Sequence, residues 1–141
     1  MNKKLTNTLF KRYSKLFPEK DRENMVDSLM AFGFECSDGW FDLINNLCEC
    51  IQTYTDNNKI KQPRVVQVKE KFGGLRYYVE NTDSTIQGMI WFAEDLSFKI
   101  CEVCGEKGKL KEIRRWYQTL CDKHAKEKKE KKRTLEREAK E

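Results

Sequence analysis

The sequence predicts an α+β fold: helices packed on a β-hairpin, followed by a treble-clef-like metal module and a charged C-terminal helix. Three observations carry this. Apolar residues recur at helical spacing through the first 60 positions and again after position 84. Residues 64–80 switch to β-branched and aromatic types around Gly73-Gly74. Paired cysteine and histidine positions then appear from Cys101 onward. The implied layout is a helical and hairpin core over 1–100, the metal module over 101–125 and a charged helical tail over 126–141.

Leu5, Leu9, Phe10, Tyr13, Leu16 and Phe17 form one stripe of a first helix, which Pro18 ends. Met25, Val26, Leu29 and Met30 predict a second helix closed by Gly33. Ser37 and Asp38 stand where caps of a third helix belong, ahead of Trp40, Phe41, Leu43, Ile44, Leu47, Ile51 and Tyr54. A polar loop, TDNNKIKQP, separates that helix from the hairpin. Positions 81–84 offer caps for a fourth helix bearing Ile86, Met89, Ile90, Ala93 and Leu96. Trp40 and Ile44 are expected at the junction where the third and fourth helices cover the hairpin.

With 141 residues, 38% of them hydrophobic and 36% charged, the chain suits one modest core with surplus charge at its surface. Its apolar runs are too short for a membrane span, which needs about 20 residues. The segment MNKKLTNTLFKRYSKLF lacks the apolar stretch and cleavage site of a secretory leader. The net charge of +5 is uneven. Positions 1–20 carry six bases and one acid, 21–60 two bases and eight acids, and 61–80 five bases and two acids. An anionic partner suits the basic segments.

The strongest signal is C-x2-C-x16-C-x2-H, from Cys101, Cys104, Cys121 and His124. Three thiolates and an imidazole are ligands that tetrahedral Zn2+ favours, and four protein ligands make a closed, structural site. Gly105 permits the tight knuckle after the first pair. GKLKEI and RRWYQTL can form a short hairpin, and Cys121 with His124 would share the first turn of a helix. Knuckle, hairpin and helix describe a treble clef better than a flat ribbon. Some treble clefs are nucleases that need a further histidine as base. His124 is the only histidine and zinc claims it, so that reading fails. Cys36, Cys48 and Cys50 read as free cysteines of the core. Glu35, Asp38 and Asp42 cluster at a helix start, where capping and the helix dipole account for them better than a metal does.

A turn at Gly73-Gly74 would pair Lys71 with Arg76 and Lys69 with Tyr78. Val68, Phe72, Leu75, Tyr77 and Val79 then face the core together with Glu70, a carboxylate for Tyr77 or a backbone amide. Lys69, Lys71, Arg76 and Tyr78 share the other face. Two readings of it stand: a solvated surface with lysine stems on Tyr78, or a phosphate-binding surface on which Tyr78 stacks a base. Like charges set opposite one another favour the second. In the tail, pairs such as Glu127 with Lys131 suit a solvated helix.

In order, GFECSDGWFDLI, VKEKFGGLRYYV, AEDLSFKICEVCG and TLCDKHA resemble a family of small uncharacterised bacteriophage and prophage proteins, over roughly residues 32–125. The resemblance implies phage origin and residence in the host bacterial cytoplasm. The expected function is non-enzymatic: a zinc-stabilised protein that binds nucleic acid or a nucleotide, such as a host-defence signal. The alternative is an inhibitor that binds a host defence protein. An enzyme would need a free histidine, a phosphate loop or a nucleophile with a base beside it, and the sequence offers none.

Overall fold

Asn2 opens the first helix, α1 (Lys3–Arg12), its side chain accepting the Leu5 amide. The computed structural model describes residues 1–139. Lys140 and Glu141, the end of the predicted charged tail, lie outside the described residues, as does the side chain of Lys132. α1 closes at Arg12, short of the predicted end. One further turn, with the Leu16 and Phe17 amides donating to the Tyr13 carbonyl, keeps Leu9, Phe10, Leu16 and Phe17 buried together. Pro18 leads into the short helix α2 (Glu19–Glu23).

The second predicted helix does not form. Only Met30–Phe32 make a 3-10 turn, and Met25, Val26 and Leu29 are exposed. The backbone here is committed to the sheet instead. The Leu29 amide donates to the Val66 carbonyl at 2.7 Å, and the Ser28 hydroxyl accepts the Met30 amide at 3.1 Å. Ser and Asn compete with helical bonding in this way. Gly33 ends the turn, and Phe34–Glu35 forms β1, a strand the sequence reading did not predict.

β1 pairs parallel with β2 (Arg64–Lys71), which pairs antiparallel with β3 (Gly74–Glu80), giving the order β1-β2-β3. The connecting turn is Phe72-Gly73, one residue earlier than predicted, with φ of 53° and 85°. Two positive φ values mark the turn type whose twist suits a hairpin. Lys71 therefore pairs with Gly74, and Lys69 rather than Lys71 faces Arg76. The parity survives: Val68, Leu75 and Tyr77 are buried, while Lys69, Arg76 and Tyr78 are not. Phe72, expected in the core, sits on the turn and is 69% exposed.

A 3-10 turn, Asp38–Trp40, runs into α3 (Phe41–Asn58). Ser37 and Asp38 do not cap α3. The Asp38 carboxylate accepts the Asn2 backbone and side-chain N–H groups instead, at 2.7 and 2.8 Å. α4 (Ser84–Ser97) starts on Asp83, which accepts the Ile86 amide at 2.9 Å and the Tyr54 hydroxyl of α3 at 2.7 Å. α4 packs on α3 and β3. Along the outer edge of β3, the Leu75 amide donates to Ser97 Oγ and the Tyr77 amide to Glu94 Oε1, at 2.9 and 3.0 Å. Beyond α4 come β4 (Lys109–Ile113), β5 (Trp116–Leu120) paired antiparallel with it, and α5 (Asp122–Glu138). No helix among the described residues is long and apolar enough to cross a membrane.

The core gathers Phe34, Trp40, Ile44, Ile51, Val68 and Ile86 between sheet and helices. Trp40 is fully buried and its indole N–H donates to the Ile100 carbonyl at 2.9 Å. It thus joins the start of α3 to the chain leaving α4. Replacing Trp40 by Ala removes a large buried ring and leaves that carbonyl unpaired. Urea unfolding should show a loss of about 3–5 kcal/mol.

One ion pair is set into the fold. Asp21 is buried, and Arg64 grips its carboxylate with two N–H···O bonds of 2.6 and 2.8 Å while also reaching Glu80 at 3.1 Å. The Arg64 hydrogen bonds hold the Asp21 carboxyl below its ordinary 3.8, against the opposing effect of burial. A lowered folded-state value stabilises fully above the unfolded value, and the gain is lost as pH falls through the folded one. Asp21→Asn should cost roughly 3 kcal/mol at pH 7. The gap between parent and variant should close as unfolding is followed downward from pH 4.

Candidate functional site

The candidate metal-ligand positions come from two pieces of backbone, a knuckle after α4 and the start of α5. Cys101 and Cys104 flank a knuckle just after α4, closed by the Gly105 amide donating to the Cys101 carbonyl at 2.9 Å. The Cys101 amide donates to the Glu106 carbonyl at 2.7 Å. The β4–β5 pair then returns the chain, so that Cys121 is the N-cap residue of α5 and His124 lies in its first turn. The ligand atoms of Cys101, Cys104, Cys121 and His124 all lie within 4.8 Å of one another, close enough to hold a metal ion.

The spacing within the cluster fits one central ion. His124 Nδ1 stands 3.6 Å from Cys101 Sγ and 3.1 Å from Cys121 Sγ, and Cys104 Sγ is 3.9 Å from Cys121 Sγ. Metal–sulfur bonds of about 2.3 Å and metal–nitrogen bonds of about 2.0 Å give tetrahedral edges of roughly 3.5–3.8 Å, close to the 3.6 and 3.9 Å separations; the 3.1 Å one is shorter. Nδ1 faces the thiols, and Nε2 faces Glu127 Oε2 at 3.9 Å. A carboxylate on that side of a ligating imidazole favours its orientation.

The knuckle is seated on the core by the segment Ser37–Trp40. The Gly39 amide donates to the Glu102 carbonyl at 2.7 Å, and the Ser37 amide to Glu102 Oε1 at 3.0 Å. A β-carbon on Gly39 would stand 2.3 Å from the Cys101 carbonyl oxygen, so only glycine fits this approach. Glu102 itself is buried, and desolvation raises its pKa above the usual carboxylate value.

The remaining cysteines stand apart from the cluster. Burial pushes the Cys36 and Cys48 thiols up to about 12. Cys48 meets the Tyr77 hydroxyl at 3.2 Å inside the core. Cys50, expected in the core with them, is exposed. Glu35, Asp38 and Asp42 form no metal-holding group: Glu35 accepts a Gln67 side-chain N–H at 3.3 Å, and Asp38 is taken by Asn2.

On the sheet, Lys69 stands across from Arg76 and Gln67 across from Tyr78, with Lys71 next to the turn. The Lys69 ammonium lies 5.9 Å from the centre of the Tyr78 ring. Arg76 donates to the Leu75 carbonyl at 2.8 Å. Among the described residues, none of Lys69, Lys71 and Arg76 is ion-paired. Glu70, on the opposite face, accepts the Gly73 amide at 2.8 Å, the backbone-amide role anticipated for it.

No protein-family model, curated protein or solved structure matches the chain.

No local sequence pattern marks the seat of the knuckle. It falls at the Gly39-Trp40 step, where a glycine precedes a large indole at a helix start. The meaning of that pair emerges only once Ile100 and Glu102 are brought beside it.

Proposed function

We propose that the chain is a zinc-stabilised binding protein rather than an enzyme, and that it holds a phosphate-bearing ligand, nucleic acid or a nucleotide. The observation that carries the ligand reading is the face of Lys69, Lys71 and Arg76. Lys69 and Arg76 are directly opposed like charges; Glu35 of β1 stands in register with Lys69, but neither cation is in an ion pair among the described residues. Opposed like charges weaken a sheet, and a bound anion relieves them. Lysine and arginine supply charge-assisted hydrogen bonds to phosphate, and Tyr78, 40% exposed beside them, offers a ring for a base.

The metal is zinc in this reading. Three thiolates with one imidazole match its preference, and four protein ligands leave no open position for chemistry. Knuckle, antiparallel pair and the helix carrying Cys121 and His124 support reading the module as a treble clef. The resemblance to phage and prophage proteins favours residence in the host bacterial cytoplasm, where a host-defence nucleotide is one ligand of the right chemistry.

A second reading is an inhibitor that binds a host protein. It is favoured by Trp91 and Phe92 on α4, which are 76% and 69% exposed, and by an apolar groove of about 300 Å3 that Phe92 lines together with Leu47 and Met89.

Elemental analysis should find one zinc per chain. Chelation should unfold residues 101–125 and loosen the packing of Trp40, because binding energy at a closed site is folding energy. Protein purified under reducing conditions without stoichiometric metal would contradict this. For the cation face, Lys69→Gln with Arg76→Gln should leave folding intact and shift heparin elution to lower salt. Each lost charge-assisted contact should weaken phosphate-ligand binding by roughly 1.5–3 kcal/mol. Unchanged heparin elution would transfer the lead to the α4 surface.

A further inference from the structure

The turn of the β2–β3 hairpin packs on the strands of the β4–β5 pair. The Phe72-Gly73 turn lies against β5, where Thr119 Oγ1 donates to the Gly73 carbonyl at 2.7 Å. A β-carbon on Gly73 would stand 2.3 Å from Leu110 Cδ1, which shows how closely the two hairpins approach. Between this turn and the Arg114-Arg115 turn of β4–β5 opens a cleft of about 310 Å3. Its lining is Glu70, Lys71, Phe72, Arg115, Trp116 and Tyr117. That volume is at the lower end for small-ligand pockets, roughly 300–1,000 Å3, and suits one planar group.

The side chains are arranged unlike an ordinary surface. Three of the lining residues are aromatic, and Phe72, Trp116 and Tyr117 are 69%, 58% and 44% exposed. Lys71 and Arg115 bring cations to the same opening, and neither has a carboxylate partner among the described residues. Glu70, the one acid in the lining, is occupied by the Gly73 amide. Arg114 is different: it pairs with Glu136 of α5.

The backbone supplies an independent observation. Phe72, Arg114 and Arg115 hold φ of 53°, 53° and 67°. Asn or Gly normally fills such turn positions, because a residue with a bulkier side chain loses energy there. Both turns that border the cleft retain large side chains in this conformation. Such local cost tends to collect where ligands bind.

We infer that this cleft receives an unstacked base of a single-stranded nucleic acid, whose flanking phosphates continue onto Lys71, Lys69 and Arg76. The inference rests on the phosphate-binding reading of the cation face and narrows its ligand to one class. Lys71 belongs to both surfaces, so a strand leaving the cleft meets Lys69 and Arg76 two positions along each neighbouring β-strand. Aromatic rings accept any base on their faces, and cations track the backbone; together they are the means by which single strands are held without sequence readout. A duplex keeps its bases stacked and cannot present one to the cleft.

The test is fluorescence anisotropy with a labelled thymidine oligonucleotide, with a duplex of equal length and thymidine monophosphate as competitors. The parent should bind the single strand in preference to both. Phe72→Ala and Trp116→Ala should each weaken binding roughly 5- to 100-fold with an unchanged salt slope, since stacking releases no counterions. Trp116→Phe should retain most of the affinity, and circular dichroism should show all variants folded. Lys69→Gln with Arg76→Gln should instead make the salt slope shallower. Unaltered affinity in both aromatic variants, with loss in the cation variant, overturns the cleft and leaves the phosphate reading standing. Equal affinity for duplex or monophosphate overturns the single-strand assignment. Failure of the parent to bind the oligonucleotide at low salt overturns the inference, and heparin retention then decides separately whether the cation face binds anions.

Discussion

The seating of the cysteine knuckle on Ser37–Trp40 is the contact on which the arrangement depends. Trp40 donates to the Ile100 carbonyl and Gly39 to that of Glu102, so Cys101, the first candidate ligand, lies between two fixed carbonyls. These bonds join positions about 60 residues apart in sequence. They tie the metal cluster to the start of α3, and hence to the core. The indole serves both sides, since it fills the core with its ring and holds the knuckle with its N–H. A metal ion bound at the cluster would therefore organise more than its own loop.

From that seat the remaining geometry follows. The knuckle positions β4 and β5, and β5 receives the Phe72-Gly73 turn through Thr119. The β2–β3 pair is consequently supported at its tip as well as along its buried face. One sheet surface is taken by α3 and α4, and the other is left for Lys69, Lys71, Arg76 and Tyr78. A rigid strand pair carries those cations at regular intervals, which a loop could not do.

Much of this was legible in the sequence wherever the signal was periodic or chemical. The stripes of α3 and α4, the Asp83 cap and the four metal-ligand positions all lie in patterns that local physics enforces. The face parity of the hairpin was also readable, because side-chain alternation survives the one-residue displacement of the turn. The displacement itself was not readable: Gly73-Gly74 is the expected turn pair, whereas Phe72 occupies a positive φ that its β-carbon disfavours. Residues 25–30 misled for a different reason. Their helical spacing is genuine, but Leu29 and Ser28 spend their polar groups on Val66 and Met30. The Asp21–Arg64 pair and the cleft between the two hairpins depend on segments far apart in sequence, so no local pattern announces them.

The two hydrogen bonds along the outer edge of β3 have a consequence for how the protein behaves among its own copies. A sheet edge with free amides is a template on which another extended chain can assemble. Here Ser97 and Glu94 already occupy the outward amides of Leu75 and Tyr77, and both come from the helix that also covers the buried face. An incoming strand would have to displace side chains anchored in α4 before it could form a ladder. The same helix that shields the core thereby guards the sheet against extension, and crowding many copies together need not start a fibre from β3.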